Sequence, residues 1–305
     1  MIGTIIKSTG SRYILVDMQG SLHHAKARGN LRLQDFEATN PIAVGDKVEF
    51  EHGDLETVMI TKLLDRKNYM IRKSVKLSKQ VQILAANIDF VFAVATPAQP
   101  RTSLGFIDRV LATAEAYNIK AGIIWNKADQ YADGIRLEVD RHISLYEKIG
   151  YKNFMVSSLT GQGIDQLLMA LKNQISLLCG HSGVGKSSLV NRLIPGLTLK
   201  TSSISKQHDK GVHTTTFAEM HPLLSGGYIV DSPGIREFGT FDFDQYEVSH
   251  FFPEIFQLSK ACKFNNCLHT NEQLCAVKNA VASGELALSR FDSYNSILEG
   301  RDIYK

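Results

Sequence analysis

The chain of 305 residues has no uninterrupted apolar stretch that could cross a bilayer as a helix, which needs about 20 residues, so a membrane-spanning helical protein is excluded. The opening Met1-Ile-Gly-Thr-Ile-Ile-Lys7 lacks the basic start, long apolar run and small-residue cleavage site of a secretory signal, which makes the cytoplasm the expected location. Cysteine is scarce. Four cannot form a disulfide-dense framework in a chain this long, and three of them crowd between Cys262 and Cys275 around a histidine, favouring metal over disulfide chemistry and a reducing compartment. Charge of one sign is also missing: a formal net charge of +3 is too small to imply nucleic-acid binding, so such a claim depends on where the charge sits. Internal repeats and low-complexity tracts are absent. What remains is ordinary globular composition, 44% apolar and 21% charged, long enough for two or more domains.

Residues 1 to about 65 alternate apolar and polar in short runs, as in Ser11-Arg-Tyr-Ile-Leu-Val-Asp-Met18, with Gly and Asp at the breaks. That pattern predicts short strands closing into a small β-barrel. From Ile83 the texture changes. Ile88 to Ala95, Ala121 to Trp125, Phe154 to Ser157, Ile175 to Cys179 and Tyr228 to Asp231 read as apolar strands. Helical stretches around Phe106 to Tyr117, near Ile164 to Lys172 and from Lys186 lie between them, which is α/β texture with a parallel sheet. After about residue 240 the strands stop, and a Cys/His-bearing segment leads to a helical tail from Gly284 to Leu298.

Gly180-His181-Ser182-Gly183-Val184-Gly185-Lys186-Ser187 matches G-x-x-x-x-G-K-[ST] and stands between an apolar strand and a helix that continues through Ser188. The glycines let backbone N–H groups turn toward phosphates, Lys186 can meet the β and γ oxygens, and Ser187 can ligate Mg²⁺. Asp231-Ser-Pro-Gly234 ends another strand, so Asp231 can hold Mg²⁺ through water and Gly234 can offer its N–H to a γ-phosphate. Asn126-Lys127-Ala128-Asp129 follows the strand at Trp125, where open α/β sheets present ligand loops. Asp129 can accept the N1–H and exocyclic amine of guanine, a donor pair that adenine lacks. Asn126 would brace the loops, and Lys127 would lie over the base or span toward the phosphate loop. Ser157 and Ser158, at a later strand end, can present a backbone N–H to the guanine carbonyl or simply cap a helix.

The order is rotated. An ordinary GTPase runs from the phosphate loop to the base-reading motif, and here the base-reading motif comes first. Circular permutation allows this, because a site depends on positions in space. Cys262, Cys267, His269 and Cys275 form C-x₄-C-x-H-x₅-C, three thiolates and an imidazole suited to one closed tetrahedral structural Zn²⁺ site per chain. Cys179, at the end of a strand, reads instead as a packing residue.

With a barrel-like start and this tail, the chain resembles the circularly permuted RsgA or YjeQ family of GTPases that assist maturation of the small ribosomal subunit. The resemblance extends to Lys210-Gly-Val-His213-Thr214-Thr215-Thr216, similar to the family's Gly-x-His-Thr-Thr switch, and to Asp231-Ser-Pro-Gly-Ile-Arg-Glu-Phe-Gly239. It implies a multi-domain protein: an oligonucleotide/oligosaccharide-binding (OB-type) barrel over 1–66, a circularly permuted P-loop GTPase of α/β fold over 67–241, and a mostly helical zinc-binding domain over 242–305. It further implies GTP and GDP as ligands, the small subunit and its rRNA as partners, and turnover stimulated by that subunit. The expected state is a monomer with no membrane partner.

Ile235 stands where many GTPases carry a water-positioning glutamine, so turnover by the chain alone is expected to be slow. His213, in the polar segment from Thr198 to Thr216, is the nearby substitute, and the resemblance makes it the catalytic residue alongside Lys186. Thr214 is the expected Mg²⁺ and γ-phosphate threonine, with Thr215 the alternative. Two other functions remain open: a GTP-gated RNA-binding module in which hydrolysis is incidental, and an adenine-using ATPase or phosphotransferase, against which Asn126 to Asp129 argue. Lys62, Arg66, Lys67, Arg72, Lys73, Lys76 and Lys79 form a basic run suited to RNA phosphates or to a solvated linker, with Tyr13 and Tyr69 as candidate stacking aromatics.

Overall fold

A computed structural model describes residues 1–28, 41–53, 57–73, 81–199, 218–231 and 244–300. The chain opens with seven strands: β1 (Ile2–Ser8), β2 (Tyr13–Asp17), β3 (Leu22–Ala27), β4 (Lys47–His52), β5 (Val58–Leu63), β6 (Tyr69–Lys73) and β7 (Val81–Ala86). Alternating elements follow: β8 (Phe90–Ala95), α1 (Leu104–Ala116), β9 (Lys120–Trp125), α2 (Asp133–Ile149), β10 (Lys152–Met155), α3 (Ile164–Leu171), β11 (Ile175–Cys179) and α4 (Lys186–Leu193). Then come β12 (Glu219–Pro222) and β13 (Tyr228–Asp231), and three helices, α5 (Pro253–Ser259), α6 (Ala276–Ser283) and α7 (Leu288–Leu298). By contact these elements fall into two compact units.

The first unit comprises Met1–Phe90, Asp165–Leu178 and Ser187–Glu237. Its N-terminal strands bury alternate residues, as period-two side-chain geometry requires when one face meets a core. Ile5, Leu15, Ala25, Val48, Phe50 and Ile60 fill the interior. The ladder runs β1-β2-β3-β5-β4 and closes because β1 also pairs with β4, the β3–β5 pair being parallel and the others antiparallel. This is the small barrel that the strand pattern predicts, of the OB type that the family resemblance implies, and it leaves no free edge between first and last strands. Tyr13 is part of the core at 3% exposure, so it cannot stack on a base. Arg66 is likewise committed: its Nε and Nη2 donate to the fully buried Asp46 carboxylate at 2.7 Å each, and Nη2 donates to the Pro41 carbonyl at 3.0 Å. Lys67 pairs with Asp89. The basic run therefore loses two of its expected phosphate contacts to internal pairing. Lys76 and Lys79 lie outside the described residues.

β6 and β7 form a separate antiparallel hairpin. In the same unit β11 and β13 are parallel, β12 is antiparallel to β13, and β12 meets β1 at Lys7↔Glu219, where the two side chains form a 2.9 Å ion pair.

The second unit comprises Val91–Ile164, Cys179–Lys186 and Phe238–Lys305. Here β8, β9 and β10 lie side by side, β9 and β10 being parallel, and every residue of β8 is buried, the mark of a parallel strand covered on both faces. Helix α1 begins at Ser103, whose hydroxyl accepts the Phe106 N–H at 3.2 Å, and it is buried without a break from Phe106 to Ala114. Helix α2 buries only Val139 and Tyr146 and stops at Gly150, which adopts the left-handed conformation. The sequence reading did not anticipate this helix. Among residues 244–300 there is no strand, as expected. Val248, Phe252, Ile255, Val277, Leu286 and Tyr294 pack into one core that also takes in Ala112 of α1.

Candidate nucleotide site and metal centre

Strand β9 delivers Asn126 at its end, fully buried. The Asn126 N–H donates to the Ala95 carbonyl at 2.9 Å, and the Tyr131 hydroxyl donates to the Asn126 carbonyl at 2.6 Å, which fixes the residue from both sides. Its side chain then does the bracing expected of it. Nδ2 donates to the Val184 carbonyl in the phosphate loop at 2.9 Å, while Oδ1 accepts the Ser158 N–H at 3.3 Å. One amide thus ties together three segments: the turn after β9, the loop after β11 and the segment after β10. Gly185 makes room for it: this residue has φ of +90°, and a Cβ there would lie 2.5 Å from Asn126 Nδ2.

Lys127 adopts the left-handed conformation at φ 63° and opens a 3-10 turn through Ala128, Asp129 and Gln130. The Ala128 N–H donates to the Val156 carbonyl at 3.0 Å, which seats the turn against the segment after β10. Lys127 Nζ donates to the Gln99 carbonyl at 2.6 Å, and partial burial lowers its pKa against the pull of Asp129. Asp129 is exposed, and its Oδ1 accepts the hydroxyl of the fully buried Ser157. Ser157 gives its own N–H to the Gln162 carbonyl at 2.9 Å. The two serines therefore divide the work: Ser157 orients the Asp129 carboxylate through its side chain, and Ser158 is the one whose N–H stands beside Asn126. Tyr131 and Gln99 were missed by sequence reasoning. A backbone carbonyl carries no residue-type signal, and the tyrosine lies outside the motif.

The sole tryptophan, Trp125, precedes Asn126. It is 2% exposed, stacks on His142 with ring centroids 5.8 Å apart, and donates Nε1–H to Asn153 at 3.1 Å.

β11 feeds the phosphate loop and α4 leaves it, the strand-loop-helix context that the motif requires. Val184 is fully buried, so the loop is anchored at its middle. Lys186 Nζ donates to the carbonyls of Gly180 and of His181, the latter at 2.9 Å, which places the ammonium over the loop that would cradle phosphates. The His181 ring meets the Phe106 ring with centroids 4.0 Å apart. Ser182 is exposed at the loop's tip, and Ser187 and Ser188 occupy the first turn of α4. Asp231 ends β13, level with Leu178 of β11 by the register Leu177↔Val230. His213, Thr214, Thr215 and Gly234 lie outside the described residues.

Cys262, Cys267, His269 and Cys275 bring one ligand atom each to within 4.8 Å of one another. Tetrahedral zinc with bonds of about 2.3 Å to sulfur and about 2.0 Å to nitrogen separates its ligands by roughly 3.8 Å between sulfurs and roughly 3.5 Å between sulfur and nitrogen. Here Cys262 Sγ and Cys275 Sγ are 3.9 Å apart, and His269 Nδ1 stands 3.6 Å and 3.4 Å from them. The donor set and its spacing fit zinc. Burial pushes the Cys267 thiol up to about 12, with Cys275 and Cys262 adding to the rise, a cost that a dication bound to the thiolates offsets. Cys179 is fully buried, as a packing residue should be.

Residues 63–241 match the family model described as RsgA GTPase, and residues 2–60 match that of the RsgA N-terminal domain. A Bacteroides fragilis protein named small ribosomal subunit biogenesis GTPase RsgA is 49% identical over 302 residues, covering 99% of this chain and 97% of its own. A Flavobacterium psychrophilum protein of the same name is 48% identical over 305 residues, covering 99% and 94%. Among solved structures, YjeQ from Thermotoga maritima superposes with a TM-score of 0.81 at 32% identity, covering 98% of this chain and 97% of that one. YloQ, described as a circularly permuted GTPase, gives 0.77 at 26% identity, covering 98% and 93%.

Proposed function

Because the chain belongs to the RsgA family of circularly permuted GTPases, we propose that it binds the small ribosomal subunit, assists its late maturation, and uses GTP hydrolysis for its own release. The observation that carries the nucleotide reading is the bond from Asn126 to Val184, which joins the base loop to the phosphate loop. In this reading Asp129 selects guanine, Ser158 offers its N–H to the base carbonyl, and Lys127 covers the ring. The loop from Gly180 to Ser188 takes the phosphates, with Lys186 on their β and γ oxygens. Ser187 and Thr214 would hold Mg²⁺, with Asp231 as its further partner, and the ion would supply charge to neutralise those oxygens; Gly234 would donate its N–H to the γ-phosphate.

Hydrolysis requires a water in line with the bond between the γ-phosphorus and the β–γ bridging oxygen. With Ile235 unable to orient it, His213 takes that role, and turnover is slow until the subunit places the switch. Cys262, Cys267, His269 and Cys275 hold one structural zinc. The domains divide at 66/67 and 241/242, the contacts with the subunit are to its rRNA, and the protein works as a cytoplasmic monomer.

GTP turnover measured alone and with separated small and large subunits tests this reading. A rise with the small subunit supports it, and a response confined to the large subunit overturns the assigned partner. Preference for ATP in competition would overturn the nucleotide.

A further inference from the structure

Arg290 of α7 is 1% exposed, and an interior guanidinium is costly unless its charge and donors are met. Two carboxylates meet them. Nη1 donates to Asp108 Oδ1 at 2.7 Å, Nε to Glu254 Oε1 at 2.6 Å and Nη2 to Glu254 Oε2 at 3.2 Å, with the Phe252 ring 4.6 Å from the guanidinium carbon. Asp108 is itself fully buried in α1, and the same Oδ1 accepts the Tyr146 hydroxyl of α2 at 2.7 Å. Its Oδ2 has no partner among the described residues. The carboxylate is thus held along one edge only, by two donors from two other helices.

An ion pair this buried is a poor source of stability, since apolar replacements of similar volume often do as well. Its place on α1 suggests another use. Phe106 lies two positions before Asp108, about 200° around the helix, so the two side chains leave opposite faces. Phe106 meets His181 of the phosphate loop at 4.0 Å between ring centroids. Just before the helix, the Gln99 carbonyl takes the Lys127 ammonium, and Pro100 stands against Gly183, its Cδ 3.3 Å from where a Cβ would be. The loop between is stiff: the Thr102 N–H donates to the Thr96 carbonyl at 2.8 Å, and the Thr102 hydroxyl accepts the Thr96 N–H at 3.1 Å. Helix α1 therefore meets the phosphate loop through Phe106 on one face and the Cys/His-bearing C-terminal module through Asp108 on the other, while the loop before it touches Lys127 and Gly183.

We infer that Arg290 is a positioning residue for the nucleotide site: through Asp108 it sets the rotation of α1 and so the placement of His181, Pro100 and Gln99 around the nucleotide. The inference rests on the nucleotide reading above. It gives the C-terminal module a direct mechanical connection to GTP affinity.

The test compares binding of a fluorescent GDP analogue by the full chain and its variants, each with its melting temperature. Arg290→Lys keeps the charge but cannot span both carboxylates, and Tyr146→Phe removes one donor to Asp108 without stranding a charge. Ile255→Val trims the same module core at a side chain that bonds to neither Asp108 nor Arg290. Arg290→Lys should weaken nucleotide binding about five- to twentyfold, and Tyr146→Phe should weaken it in the same direction by less. Ile255→Val should lower the melting temperature and leave affinity unchanged. If Arg290→Lys does not fold, Tyr146→Phe carries the test. Wild-type affinity in the folded Arg290 or Tyr146 variants would overturn the inference, as would an equal loss in Ile255→Val. Failure of the wild-type chain to bind guanine nucleotide would instead refute the underlying reading.

Discussion

Replacing Asn126 with Ala removes one side chain whose two ends join three loops. The Val184 carbonyl, on a fully buried residue, would lose a 2.9 Å partner, and an unsatisfied buried acceptor costs about 1–3 kcal/mol. The second bond, from the Ser158 N–H, is longer at 3.3 Å and only partly buried, so about 0.5–1 kcal/mol is appropriate. Together they suggest a loss of about 1.5–4 kcal/mol, which in a domain of this size lowers the melting temperature by roughly 3–16 °C. The same bonds hold the base and phosphate loops in register, so part of the loss should recur as affinity, where 1.4 kcal/mol corresponds to about tenfold. Thermal melts with and without GDP, beside fluorescent-nucleotide titration, separate the two contributions. A melting temperature within about 1 °C of wild type, with affinity unchanged, would show that the brace carries no energy and would refute the argument.

Asp129→Asn should cost guanine nucleotides about a hundredfold or more in affinity by replacing an acceptor with an amide donor that faces their own donors. Xanthine nucleotides, which carry a carbonyl in place of the exocyclic amine, should gain; competition titration checks both. His213→Ala should abolish subunit-stimulated turnover and spare GTP affinity, and unchanged stimulated rates would remove His213 from the mechanism. Purified protein should contain one zinc per chain by metal analysis, lost in Cys275→Ser together with folded structure in the C-terminal module. Arg66→Met should destabilise the barrel by about 3–5 kcal/mol in denaturant melts by stranding Asp46, while adding Asp46→Leu should recover most of that loss.

The barrel strands were legible because one face of each meets a core and leaves a period-two trace, as at Tyr13 and Leu15. The interior strands around Val91 to Val94 and Ile123 to Trp125 were legible as continuous apolar runs. The α2 helix was not. It buries only Val139 and Tyr146, two positions two turns apart in 17 residues, so its apolar stripe is too thin to stand out. Its clearer signal was Gly150 at the C-terminal end. In the site, the motif residues announced themselves by spacing, whereas the carbonyls of Gln99, Gly180 and His181 could not, since every residue has one. The fates of Tyr13 and Arg66 show the limit from the other side. Composition marks an aromatic or a cation, but only packing decides whether it faces solvent or, as here, the core and Asp46.

The lone tryptophan next to the base-reading loop gives the protein an intrinsic optical probe. With Trp125 as the only indole in the chain, fluorescence excited selectively at the indole has one origin, one residue from Asn126 and in stacking contact with His142. Movement of the loop on nucleotide entry would change how that indole overlaps the imidazole and how it donates to Asn153. Loading and release can then be followed by stopped-flow fluorescence on unlabelled protein, even in variants where an attached dye would perturb the pocket.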